Sequence, residues 1–148
     1  DFGYLQWMAG TITHRWFITD IDKTINYWLE GAEYDFETGK SLLESKKFPY
    51  DLFFAHLAIE KILKAIVVKK TEEHAPYTHS LVLLAKSTNI KIKDQMFDQL
   101  AEYMEFHIEA RYPDEKKDFY QKCSEEFTTN KINEMYEVYQ WLKKKLNE

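Results

Sequence analysis

PYDLFFAHLAIEKILKAIVVKK, Pro49 to Lys70, is the stretch around which the rest of the chain is organised. Wound at 3.6 residues per turn, it sets apolar side chains almost all the way round, from Leu52, Phe53, Phe54, Leu57 and Ala58 through Ile59, Ile62 and Leu63 to Ala65, Ile66, Val67 and Val68. A helix so patterned is buried on several sides. Its polar interruption is His56, Glu60 and Lys64, spaced by four and so stacked as a narrow stripe on one face. Pro49 pre-sets the first turn. Asp51 at the start and Lys69 and Lys70 at the end carry the charges that the helix dipole favours there.

A chain of 148 residues is one ordinary domain, long enough to bury a core without disulfides or a metal. With three Pro and four Gly there are few breakers, so long helices are the natural reading. The single cysteine, Cys123, excludes an intramolecular disulfide and is compatible with a reducing compartment. No apolar run reaches the length of a membrane span. The opening DFGYLQWMAG lacks the basic and continuous apolar regions of a signal peptide. A soluble, cytoplasmic protein is the expectation. The net charge of −5 argues against a broad nucleic-acid surface or a DNA-binding signature, because phosphate contacts need clustered Lys and Arg. Only Arg15 and Arg111 are arginines, so a specific guanidinium role has two candidates.

Residues 1–18 are rich in aromatics (Phe2, Tyr4, Trp7, Trp16, Phe17), with Gly3 and Gly10 and no sustained helical period. They read either as an arm that packs on the body or on a partner subunit, or as a loosely ordered terminus. Residues 19–148 form the helical domain. From Thr19 or Asp20, both competent N-caps, apolar residues at Ile21, Ile25, Trp28, Leu29, Ala32, Phe36 and Leu43 predict a long amphipathic helix to about Ser45. A short turn into Pro49 makes it an antiparallel neighbour of the central helix. Ser80 to Lys86 reads as a short helix. Lys93 to Glu109 reads as a long one, with Met96, Phe97, Leu100, Tyr103, Met104, His107 and Ile108 on one stripe. Pro113 closes that segment near Arg111. Asp114 to Phe127 is a charged stretch expected to be loop with a helical turn around Phe119 and Tyr120. Thr128 or Thr129 is expected to cap a last helix burying Ile132, Met135, Tyr136, Tyr139, Leu142 and Leu146. The fold class that follows is all-α, an up-and-down bundle of four long helices with one short extra helix.

Four pieces of this pattern, in this order and spacing, resemble HEPN domains. They are WLEGAEYDFETGKSLL (Trp28 to Leu43), AHLAIEKILKA (Ala55 to Ala65), YTHSL (Tyr77 to Leu81) and ARYPD (Ala110 to Asp114). The resemblance covers roughly Tyr27 to Leu146. It implies an all-α bundle, a homodimer with a polar cleft between subunits, and an association with nucleotides or RNA. Small members of the family are often encoded beside a minimal nucleotidyltransferase, as toxin and antitoxin. Many members are metal-independent ribonucleases in which an Arg is followed four to six residues later by a His. This sequence departs from that motif, since neither Arg15 nor Arg111 has a His at that distance. An active ribonuclease would need an Arg and a His assembled through space.

His56, Glu60 and Lys64 read in two ways. They form a polar site in which Glu60 orients the imidazole, or a solvated stripe with a Glu60 to Lys64 helical pair. Arg111 sits at a helix end before a proline, and its planar fork suits phosphate. Its bland role is to cap carbonyls or pair with Asp114. His79 reads as holding its loop, and His107 as a core or interface histidine. No Cys partner and no HExxH spacing accompanies the histidines, so no metal site and no cofactor is expected. There is no glycine-rich phosphate loop, no GxSxG elbow and no paired-carboxylate signature. The reading is a nucleotide- or RNA-associated partner of a nucleotidyltransferase, with Arg111 as phosphate anchor, Tyr112 as a stacking or hydroxyl contact, and His56, Glu60 and Lys64 on the facing helix. A metal-independent ribonuclease with a non-standard Arg/His pair and a non-catalytic protein-interaction module are the alternatives.

Overall fold

The computed structural model describes residues 14–148, with side chains from residue 20 onward. The arm expected over 1–18 lies almost wholly outside these described residues. The elements are α1 (His14–Glu44), α2 (Tyr50–Thr71), α3 (Leu81–Ser87), α4 (Asp94–Tyr103), two 3₁₀ turns (Met104–Phe106 and Ile108–Ala110), α5 (Pro113–Lys122) and α6 (Glu125–Asn147). No strand occurs among the described residues.

α2 is the core element. Ala55, Ala58, Ile59, Ile62, Leu63, Ala65 and Ile66 are wholly inaccessible, as is Leu52 in its first turn. Burying each of the larger side chains contributes about 1.5–3 kcal/mol. At its start Asp51 accepts from the Leu52 N–H at 2.8 Å. At its end Glu72 adopts the left-handed conformation (φ 58°) and its N–H closes on the Val68 carbonyl.

The order of contacts fixes the topology. Lys61 of α2 pairs with Asp35 of α1 at 2.6 Å, and Lys64, further along α2, lies over Trp28, earlier in α1. Rising numbers meet falling ones, so the helices run antiparallel. Near the hairpin α2 lies against Gly39, where a Cβ would stand 3.0 Å from the Asp51 carbonyl oxygen and 3.3 Å from the Ala55 nitrogen. Both neighbours are backbone and cannot swing aside. Gly39→Val should therefore force the hairpin apart and cost about 1–3 kcal/mol, read as a lowered urea midpoint with unchanged slope. α6 packs antiparallel to α1, with Phe36 against Tyr136 and Tyr139 and with Glu33 paired to Lys143. It runs parallel to α2, where Lys69 donates to the Leu146 carbonyl. α4 is tied to α6 by the Tyr103 hydroxyl on Glu134 (2.5 Å) and by Lys131 on Glu102 (2.7 Å).

The all-α bundle is as the pattern predicts, but several segments differ. α1 begins at His14 rather than Thr19 or Asp20. The helix expected over Lys93 to Glu109 stops at Tyr103, and the chain turns at His107 (φ −77°, ψ 77°) between the two 3₁₀ turns. The stripe of apolar side chains continues through that break because Phe106 and Ile108 are still buried. Asp114 to Phe127 is mostly helical. Pro113 starts α5 at the position where a missing N–H costs nothing, and Asp114 and Glu115 follow in the first turn. One apolar anchor, Phe119, docks this charged helix by stacking on Phe106 at 5.5 Å. The last helix is capped by Ser124, whose hydroxyl accepts from the Phe127 N–H, and Thr128 is buried inside it.

Candidate functional site

The polar stripe of α2 is inside the protein. His56 is wholly buried, Glu60 is 4% exposed and Lys64 is 9% exposed, which overturns the solvated reading. Trp28 of α1 covers the Lys64 end, with the ammonium 4.9 Å from its ring centroid. The loop before α3 covers the middle. Lys64 stands 3.2 Å from Glu60, and the His79 Nδ1 stands 3.2 Å from the same carboxylate. A buried carboxylate thus holds one ammonium and one imidazole. His79 is itself positioned by its neighbours: Thr78 Oγ1 accepts from the Ser80 N–H, and Ser80 Oγ accepts from the Leu83 N–H as the α3 cap.

His107 meets both other histidines, with ring centroids 5.0 Å from His79 and 5.2 Å from His56. His56 stacks on Phe53 beneath them, and beyond a weak contact with the Phe53 backbone neither of its ring nitrogens has a hydrogen-bond partner among the described residues. Burial pushes its pKa from 6.5 down to about 3, with His107 and His79 adding to the effect, so this imidazole is neutral.

Arg111 follows the second 3₁₀ turn in extended conformation. Its Nε–H donates to the Glu105 carbonyl at 2.6 Å, and its guanidinium lies 5.4 Å from the centroid of the buried Phe119 ring. It makes no ion pair with Asp114. The two terminal nitrogens of the fork have no partner among the described residues. A pocket of about 460 Å³ opens here, lined by His79, Ser80, Met104, His107, Ala110, Arg111 and Glu115. A cavity of about 470 Å³ beside Lys23, Tyr27, Trp28 and His74 has no arginine among the described residues that line it.

Of the five residues expected at a nucleotide site, Arg111 alone lines this pocket. Glu60 reaches it through His79. Lys64 is spent on Glu60 and Trp28, His56 lies behind His107, and Tyr112, 77% exposed, is outside the lining. His79 and His107, read as structural, are the imidazoles that line it. His79 belongs to the YTHSL piece that carries the resemblance, which is the one sequence signal by which it could be found. His107 precedes Arg111 by four residues, the reverse of the Arg-to-His order. Among the described residues no group of three or more His, Cys, Asp or Glu side chains is arranged to hold a metal ion, and no helix is long and apolar enough to cross a membrane. Cys123 is buried and its thiol pKa is pushed up to about 11, mainly by desolvation, which makes it a poor nucleophile.

The family model for the HEPN domain matches residues 25–146. No match is found among curated proteins or among solved structures.

Proposed function

The chain belongs to the HEPN domain family, and from that premise we propose that the Arg111 pocket receives the phosphate of a nucleotide or of an RNA strand. The protein then acts as the nucleotide- or RNA-associated partner of a nucleotidyltransferase, in a toxin–antitoxin pair. It does so as a cytoplasmic homodimer, in keeping with the family. The observation that carries the reading is the convergence of Arg111, His79 and His107 on one pocket, with the outer edge of the guanidinium unengaged. Its inner edge is fixed by the Glu105 carbonyl and its face by Phe119, so the fork is held ready for two parallel hydrogen bonds to phosphate oxygens. Arg111→Ala should weaken binding of a nucleotide or short RNA by about tenfold to a hundredfold, the range for a lost hydrogen bond to a charged group. Arg111→Lys should restore little of it, because an ammonium lacks the fork. An Arg111→Ala protein that melts like the parent and binds equally well would overturn the reading.

The same convergence favours a second reading, a metal-independent ribonuclease whose Arg/His set is assembled through space. Glu60 accepts from His79 Nδ1–H, which leaves Nε2 to take a proton. In that route one imidazole accepts the proton of a ribose 2′-OH as its oxygen attacks phosphorus. Arg111 balances the non-bridging oxygens, and the second imidazole returns a proton to the departing 5′ oxygen. RNA breakdown in EDTA, present in the parent and lost in both His79→Ala and His107→Ala, separates this reading from binding alone.

A further inference from the structure

Glu115 lines the same pocket as Arg111, and a carboxylate is an unfavourable neighbour for a phosphate. It stands in the first turn of α5, four residues on from Arg111, which is extended and outside that helix. They do not pair here. Arg111 is turned toward the Glu105 carbonyl and Phe119 instead, and neither Glu115 oxygen has a partner among the described residues. The first turn of α5 favours a negative charge by its dipole, but Asp114 supplies one at the same turn without facing the pocket.

We infer that Glu115 reads a base, and that the pocket selects guanine beside the phosphate held by Arg111. The inference rests on the phosphate reading above. A carboxylate only accepts hydrogen bonds. Guanine is the one common base with two adjacent N–H donors, N1–H and the N2 amine, on one edge, and these match the two oxygens of a carboxylate. Adenine and cytosine present an amine beside a ring-nitrogen lone pair, which the carboxylate repels. Uracil presents a single N–H between two carbonyls. The remaining lining suits a flat ring, since Met104 and Ala110 are apolar and the His107 imidazole is aromatic. A pocket of about 460 Å³ has room for a base and its phosphate.

The test uses four fluorescein-labelled pentamers, UUGUU, UUAUU, UUCUU and UUUUU, with 2′-fluoro riboses so that no strand can be cleaved. Anisotropy should show UUGUU binding the parent about tenfold or more tightly than the other three, the range for a bidentate contact to a base edge. Glu115→Gln and Glu115→Ala should bring UUGUU down to the level of the others and leave those unchanged or tighter, as a repelling charge has gone. Glu115 is on the surface, so both variants should melt with the parent. Equal binding of all four strands to the parent, or a guanine preference that survives in Glu115→Gln, overturns the assignment. If Arg111→Ala still abolishes binding in that case, the phosphate reading stands and only the role of Glu115 falls. A parent that binds none of the strands removes both.

Discussion

Glu60→Ala should destabilise the protein by about 3–5 kcal/mol, the cost of leaving one charge of a buried pair without its partner. For a domain of this size that is a fall in Tm of roughly 10–15 °C. Glu60 is 4% exposed and Lys64 9% exposed. With the carboxylate gone, the Lys64 ammonium keeps only the Trp28 ring as a favourable neighbour, and a cation–π contact contributes about 0.5–2 kcal/mol. His79 loses its anchor in the same step. Glu60→Gln should fall between, because one amide oxygen can still accept from Lys64 or from His79 but not fully from both. Replacing the pair, Glu60→Leu with Lys64→Met, should recover most of the stability, since no charge then remains to be desolvated. It should recover none of the ligand affinity that depends on His79. A Glu60→Ala protein melting within 2–3 °C of the parent would show that Lys64 finds water, and that the stripe is no structural pair.

The stripe shows how far the sequence carries and where it stops. Spacing by four put His56, Glu60 and Lys64 on one face of α2, and that face is real. Whether the face met water depended on three covers that the local pattern does not encode: Trp28 from α1, the loop ending at His79, and the turn at His107. α2 itself was legible because its apolar residues run all the way round and its ends carry matching charges, so only a central position satisfies it. The break at His107 was not legible. No Gly or Pro marks it, and the apolar residues on either side keep a helical rhythm because they enter the same core. α5 was misread for the opposite reason: its charges hid a helix that a single phenylalanine docks. The pocket is made where these two illegible segments meet, which explains why Arg111 was found and its imidazole neighbours were not.

The acid stability of the protein is set in part by two buried groups that titrate in opposite senses. Burial raises the Asp51 carboxyl from 3.8 to about 6 and lowers the His56 imidazole from 6.5 to about 3. For Asp51 the folded chain holds a proton between those values that the unfolded chain has released. Its penalty is therefore complete above pH 6 and is relieved as pH falls toward 3.8. For His56 the unfolded chain holds a proton that the folded chain refuses. Its penalty is absent above pH 6.5 and grows as pH falls toward 3. From pH 6 to pH 4 each contributes about 1.4 kcal/mol per pH unit with opposite sign, so the two cancel. Asp51→Asn keeps an oxygen for the Leu52 N–H and removes the titration. It should be more stable than the parent by up to about 3 kcal/mol at pH 7, and should lose that advantage progressively by pH 4. His56→Phe, which retains a ring against Phe53, should gain on the parent by about 3 kcal/mol between pH 7 and pH 4. Urea denaturation of the three proteins at pH 7, 6, 5 and 4 isolates these differences, because every other carboxylate and imidazole contributes equally to all three curves. Parallel profiles would mean that water reaches both groups and that neither is held out of its ordinary titration.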